Sequence, residues 1–191
     1  MGFAMTVFTP ANVLTISRMV LVPVFALCML YDMPGWALTT FVVAGATDLL
    51  DGLIARWTKQ QTTLGAWLDP MADKLLLLTM FVMLTLPGLG MPYRLPLWLT
   101  VLVISRDVAI VLTAAVINLA VARRTFKPSL LGKAATGIYI FTGIVALYGN
   151  YRGLPEGLLS VFIYLSLVIT LLSAGDYLRR VMRVPGDTER A

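Results

Sequence analysis

Apolar residues run almost unbroken through six stretches of this chain, 11–31, 35–57, 65–86, 95–122, 132–148 and 157–179, and polar residues gather between them. A helix needs about 20 mostly apolar residues to cross a bilayer, and each stretch is near or above that length. A transmembrane β-barrel would show segments of about ten residues with alternating polarity; these runs do not alternate. The pattern predicts six transmembrane helices in an all-α integral membrane protein, one six-helix domain over residues 1–191 ending in a polar tail at 185–191. Turn-forming residues mark the joints: Asp32-Met33-Pro34-Gly35, Lys59 to Thr63, Pro87-Gly88 through Pro96, Arg123 to Ser129, and Asn150 to Gly157.

Composition sharpens this picture. With 59% apolar and 13% charged residues over 191 positions, and a mean hydropathy of +0.85, the chain has too few polar side chains to coat a soluble globule. The first apolar stretch contains Arg18 and lacks a small-residue cleavage pattern, so it is expected to be retained. Cys28, the single cysteine, reads as a small core residue and says nothing of redox compartment. No internal repeat is evident, which argues against the inverted-repeat architecture of many transporters. Trp36, Trp57, Trp67 and Trp98 lie near predicted helix ends and read as interfacial anchors.

Charge adds an orientation. With six spans joined by short turns, alternate connections face opposite sides. One set, with the C-terminal tail, carries Arg56, Lys59, Lys74, Arg123, Arg124, Lys127, Lys133, Arg179, Arg180, Arg183 and Arg190; the other carries Arg94 and Arg152. Basic connections are cytoplasmic, so both termini are expected in the cytoplasm; the membrane itself is expected to be a bacterial inner membrane. The net charge of +5 then concentrates on one face, suited to anionic head groups or phosphorylated substrates; no nucleic acid partner is expected.

Within this apolar frame stand four acids, Asp48, Asp51, Asp69 and Asp73, near the cytoplasmic end of the second and third predicted helices. Spacings of i,i+3 and i,i+4 put each pair on one helix face. Both pairs lie nearly equidistant from the turn at Gln60, on the order of 15 Å away at the helical rise. Four convergent carboxylates at membrane depth cannot all ionise without a counter-charge. Oxygen-only donors in a chain without histidine suit two divalent cations, Mg²⁺ or Mn²⁺, with Ca²⁺ also fitting the donor type. Mg²⁺ commonly shares its shell with substrate phosphates, which points to phosphoryl chemistry. A small cation transporter could use the same acids, but a relay would string them across several helices and depths.

The residues Asp48-x-x-Asp51-Gly52-x-x-Ala55-Arg56, eight residues, then Gly65-x-x-x-Asp69-x-x-x-Asp73 match at every fixed position the signature of the CDP-alcohol phosphatidyltransferases. Asn12-Val13-Leu14-Thr15-Ile16-Ser17-Arg18 also resembles that family's N-x-L-T-x-x-R motif in the first helix. The resemblance implies a homodimeric six-helix membrane enzyme with a two-metal site open to the cytoplasm, moving a phosphatidyl group from CDP-diacylglycerol to an alcohol with release of CMP. Carried over, Asp48, Asp51, Asp69 and Asp73 are metal ligands, and Asp73 also deprotonates the acceptor hydroxyl. Asn12, Thr15, Arg18, Gly52, Ala55, Arg56 and Gly65 border the CDP-lipid.

The acceptor is sought among cytoplasmic basic residues. Arg106, beside Asp107 inside the fourth predicted helix, and the cluster Arg123, Arg124, Lys127, Ser129 and Lys133 are candidates for holding an acceptor phosphate through cations, a hydroxyl and backbone amides at the start of the fifth helix. An ion pair is the structural alternative for Arg106 and Asp107. This region resembles the branch that contains phosphatidylglycerophosphate synthases and CDP-dependent cardiolipin synthases. Phosphatidylglycerophosphate synthases more often read R-E here with a Leu-Arg downstream; Ser105-Arg106-Asp107-Val108 and Lys127-Pro128-Ser129 look closer to the cardiolipin synthases. The acceptor is therefore expected to be phosphatidylglycerol or glycerol-3-phosphate, with inositol phosphate as the alternative.

Overall fold

The computed structural model describes the backbone of residues 10–58, 63–120, 129–155 and 157–182, and the side chains of residues 15–47, 71–113, 129–155 and 157–179. Six helices carry these residues, with no strand among them: α1 (Pro10–Leu30), α2 (Pro34–Thr58), α3 (Thr63–Thr85), α4 (Leu97–Ala120), α5 (Leu130–Arg152) and α6 (Leu158–Met182).

Local chemistry sets the helix ends. α1 and α2 begin on proline, whose absent N–H is no loss in the first turn. α1 closes with the paired bonds of a Schellman cap: Met33 N donates to Cys28 O at 2.8 Å and Asp32 N to Met29 O at 3.4 Å. Asp32 takes the left-handed conformation this cap demands, with φ of 54°. At the head of α5, the Ser129 hydroxyl accepts from Gly132 N at 2.9 Å, satisfying an amide that no earlier carbonyl can reach.

The fifth helix corrects an expected boundary. The apolar run ends at 148 and the connection is expected from Asn150 to Gly157, yet α5 continues to Arg152. Gly149 is needed there for space, because a Cβ would stand 2.8 Å from the Tyr93 ring and 2.7 Å from Leu154. The Asn150 side-chain amide donates to Tyr93 O at 2.8 Å and Ala146 O at 2.9 Å, and its oxygen accepts from Tyr93 N at 3.1 Å. The helix stops at Gly153, which has φ of 81° and donates its N–H to Gly149 O at 2.8 Å.

The chain divides into two compact units, residues 1–94 with 143–155, and residues 95–142 with 156–191; α5 is shared between them. In the first unit α1 packs along both α2 and α3. Phe25 of α1 meets Phe41 of α2 with ring centroids 5.8 Å apart, and buried Ala37 and Ala44 let the two backbones approach. The end of α5 lies against α3 at Gly143, where any side chain would overlap the Met80 thioether.

In the second unit α5 and α6 are joined through buried hydroxyls. Tyr139 pairs with Thr170 at 2.6 Å and Thr142 with Ser166 at 2.8 Å. Tyr177 of α6 donates to Ile110 O of α4 at 3.1 Å.

Both units bury polar residues within an apolar core and expose large apolar side chains. Thr15, Arg18, Thr142, Ser166, Thr170 and Ser173 are buried, whereas Val20, Val101, Leu112, Phe141, Val161 and Val168 are more than half exposed. That distribution suits a lipid surround, where outward apolar side chains meet acyl chains and polar groups must bond within the protein. Two of the described helices, Leu130–Arg152 and Leu158–Arg179, are long and apolar enough to cross a membrane, and a shorter apolar helix covers Thr15–Leu30. Trp36 and Trp98, at the starts of α2 and α4, are exposed.

Candidate functional site

The signature acids lie on two helices of the first unit, Asp48 and Asp51 one turn apart on α2, Asp69 and Asp73 one turn apart on α3. The side chains of Asp48, Asp51 and Asp69, with those of Asn12, Ala55 and Arg56, lie outside the described residues, as do the surroundings of Gly52 and Gly65. Among the described residues no three acids, histidines or cysteines stand together.

Asp73 is described, and Arg18 is one of its partners. The guanidinium Nη1 of Arg18 donates to Asp73 Oδ1 at 2.7 Å, an ion pair between α1 and α3. The Arg18 side chain is 1% exposed and that of Asp73 41%. Thr15, one turn before Arg18 on the same helix face, is also fully buried. A wholly buried guanidinium is tolerated when a carboxylate compensates it, so α1 turns Thr15 and Arg18 into the protein, Arg18 beside the last acid of the signature. The family resemblance implies separate tasks for these residues, Arg18 at the CDP-lipid and Asp73 at the metal and the acceptor hydroxyl; the fold brings them together.

The donor set fits a hard divalent cation. Asp73 supplies a carboxylate fixed by a charge-assisted bond, and α2 and α3 carry the remaining signature acids at helical-turn spacing, with no nitrogen or sulfur donor among them.

A second polar cluster forms in the other unit around Arg106 of α4. Its Nη1 donates to Asp107 Oδ1 at 2.6 Å and its Nη2 to the Ser173 hydroxyl of α6. A Cβ on Gly132 would stand 3.4 Å from the same Nη2 and 3.2 Å from Ser129 Oγ. The guanidinium therefore lies against the first turn of α5, where the helix dipole favours an anion. Of the acceptor candidates, the structure brings Arg106 and Ser129 together and leaves Lys133 exposed on the same turn; Arg123, Arg124 and Lys127 lie outside the described residues. The ion-pair alternative for Arg106 and Asp107 is realised, and it leaves Nη2 directed at α5 and α6.

Ser173 lies in none of the motifs that mark the site in the sequence. A signal for it existed: Ser166, Thr170 and Ser173 recur at spacings of four and three along an otherwise apolar helix, the period of a single buried face.

A family model described as CDP-alcohol phosphatidyltransferase matches residues 8–172. The chain is 33% identical over 183 residues to a Mycobacterium tuberculosis protein named "Probable phosphatidylglycerophosphate synthase", covering 91% of this chain and 81% of that one. It is 33% identical over 165 residues to a cardiolipin synthase (CMP-forming) of Streptomyces coelicolor, covering 82% and 73%. It is 29% identical over 174 residues to a CDP-diacylglycerol–glycerol-3-phosphate 3-phosphatidyltransferase of Haemophilus influenzae, covering 87% and 89%. With the signature acids on α2 and α3 and the buried Arg18 beside the last of them, the chain belongs to the CDP-alcohol phosphatidyltransferase family.

Proposed function

We propose that the protein is a metal-dependent phosphatidyltransferase of phospholipid synthesis that takes CDP-diacylglycerol and a glycerol-containing acceptor and releases CMP. The acceptor is phosphatidylglycerol, giving cardiolipin, or glycerol-3-phosphate, giving phosphatidylglycerophosphate; the names of the relatives, which cover both products, support this pair. The observation that carries the reading is the 2.7 Å contact between Arg18 and Asp73, which joins in space the two sequence motifs of the family resemblance.

The acceptor hydroxyl attacks the phosphatidyl phosphorus, the pyrophosphate P–O bond breaks, and CMP leaves with the bonding electrons. Asp73 takes the hydroxyl proton; the buried Arg18 keeps its carboxylate oriented while the proton moves. Asp48, Asp51, Asp69 and Asp73 would hold two divalent cations, Mg²⁺ or Mn²⁺, which when bound would supply neutralisation of charge on the pyrophosphate. Asn12, Thr15, Gly52, Ala55, Arg56 and Gly65 border the CDP-lipid. Arg106, Ser129 and Lys133, with Arg123, Arg124 and Lys127, take the acceptor phosphate; the guanidinium at the α5 N-terminus supports that assignment.

All six helices span the membrane in this reading. At 21 to 25 residues each, the rise of about 1.5 Å per residue gives lengths of roughly 31–38 Å, enough for a hydrocarbon core of about 30 Å. The membrane is the bacterial inner one, with the active site and both termini on the cytoplasmic side, and the chain works as a homodimer.

The deciding experiment supplies purified protein in lipid with CDP-diacylglycerol and Mg²⁺ or Mn²⁺, adding glycerol-3-phosphate, phosphatidylglycerol or inositol phosphate in separate reactions. CMP release with a new lipid from one of the glycerol acceptors is expected. Ion flux without CMP release would replace this reading with transport, and product from inositol phosphate alone would reassign the acceptor.

A further inference from the structure

Arg106 is an unusually constrained arginine. Its side chain is 10% exposed, and its guanidinium is gripped on two sides by Asp107 through Nη1 and by Ser173 through Nη2. Asp107 is the next residue along the same helix, so it travels with Arg106. Ser173 comes from α6, and it is the contact that fixes the fork relative to another helix.

Ser173 is itself held. It is 1% exposed and lies on the α6 face that carries Ser166 and Thr170. Those two hydroxyls bond Thr142 at 2.8 Å and Tyr139 at 2.6 Å on α5, so α6 keeps its register on the helix whose first turn faces Arg106. Tyr177, one turn beyond Ser173, bonds Ile110 O at 3.1 Å, one turn beyond Arg106. The hydroxyl ladder thus places Ser173 Oγ at a fixed point beside the α5 N-terminus.

We propose that Ser173 is a positioning residue for the acceptor: its hydroxyl locks the Arg106 guanidinium against the first turn of α5, so that an acceptor phosphate meets an already oriented fork. The inference rests on the reading of Arg106 as a phosphate ligand. An arginine held beforehand loses less side-chain freedom when the anion arrives, so the contact acts on acceptor affinity and leaves the CDP-lipid half of the reaction alone.

The test measures kcat and both KM values for the full chain in lipid, using glycerol-3-phosphate and phosphatidylglycerol as acceptors, in Ser173→Ala, Ser173→Thr, Arg106→Met and the double variant Arg106→Met with Ser173→Ala. Ser173→Ala should raise the acceptor KM roughly tenfold, with the CDP-diacylglycerol KM unchanged and kcat within about twofold; Ser173→Thr, which keeps the hydroxyl, should restore most of the loss. On the Arg106→Met background the serine substitution should have no further effect, since coupled groups are non-additive. Where turnover of Arg106→Met is too low for a KM, the rise in Tm on adding glycerol-3-phosphate reads its affinity instead. A Ser173→Ala variant that loses Tm but keeps its acceptor KM would overturn the proposal, as would a serine effect that persists in the double variant. An unchanged acceptor KM in Arg106→Met would remove the phosphate-ligand reading itself, and the positioning role with it.

Discussion

Arg18 and Asp73 are 55 residues apart in sequence and 2.7 Å apart in space, the guanidinium of one helix donating to the carboxylate of another. The pair is lopsided. Arg18 is walled in at 1% exposure while Asp73 keeps 41%, so the two partners depend on each other unequally. Arg18 needs a compensating charge to be buried at all; Asp73 gains a fixed orientation.

That asymmetry predicts a stability difference. Asp73→Ala takes the carboxylate from a buried guanidinium and should destabilise by about 3 kcal/mol. Arg18→Met replaces the arginine with an apolar stem of similar length and leaves a carboxylate that solvent partly screens, for a loss of about 1 kcal/mol or less. Thermal unfolding in detergent reads the difference, and an Arg18→Met variant less stable than Asp73→Ala would contradict it.

Catalysis should separate from binding at the same residue. Asp73→Asn keeps an oxygen acceptor for Arg18 but removes the base, so single-turnover CMP release should fall by about 10²- to 10⁴-fold with a smaller change in CDP-diacylglycerol affinity. Equal loss of rate and affinity would make Asp73 a metal ligand alone.

Stripping divalent ions with EDTA should abolish CMP release, and Mg²⁺ or Mn²⁺ should restore it. Asp48→Asn, Asp51→Asn and Asp69→Asn should each raise the metal concentration needed for half-maximal rate by on the order of tenfold or more, as expected for lost hard-ion ligands. Undiminished activity after chelation would count against the carboxylate cage.

The α1 cap offers a test of local geometry away from the chemistry. Asp32 occupies a left-handed position with φ of 54°, where glycine carries no Cβ penalty. Asp32→Gly should therefore raise Tm by about 1–3 °C and Asp32→Val should lower it, with CMP release unaffected by the glycine. A glycine variant that melts earlier would mean the aspartate side chain itself supports the turn.

Lipid contact can be probed on α6. Val168 is 53% exposed, a position where lysine would be innocuous in water but costs about 2.5–3.5 kcal/mol near the middle of a spanning helix. Val168→Lys should reduce membrane-integrated, active protein several-fold, while Val168→Leu should be silent. Full tolerance of the lysine would place that face in water.

Much of this was written locally in the chain. Unbroken apolar runs predicted helices, since backbone groups of a segment in lipid must bond within that segment, and the spacings 48/51 and 69/73 set the signature acids one turn apart on α2 and α3 as soon as those helices formed. What sequence could not carry were contacts whose partners share no period: Arg18 with Asp73, Arg106 with Ser173 across 67 residues, and Asn150 with Tyr93 across 57. The last of these also explains the mistaken end of α5. Glycine and asparagine break helices by local propensity, and here the demand for close approach to Tyr93 outweighed it. Local pattern fixed which segments are helical and which carry charge; the packing of α1 on α3 and of α6 on α4 and α5 decided which charges and hydroxyls are held, because only a folded chain brings them within bonding distance.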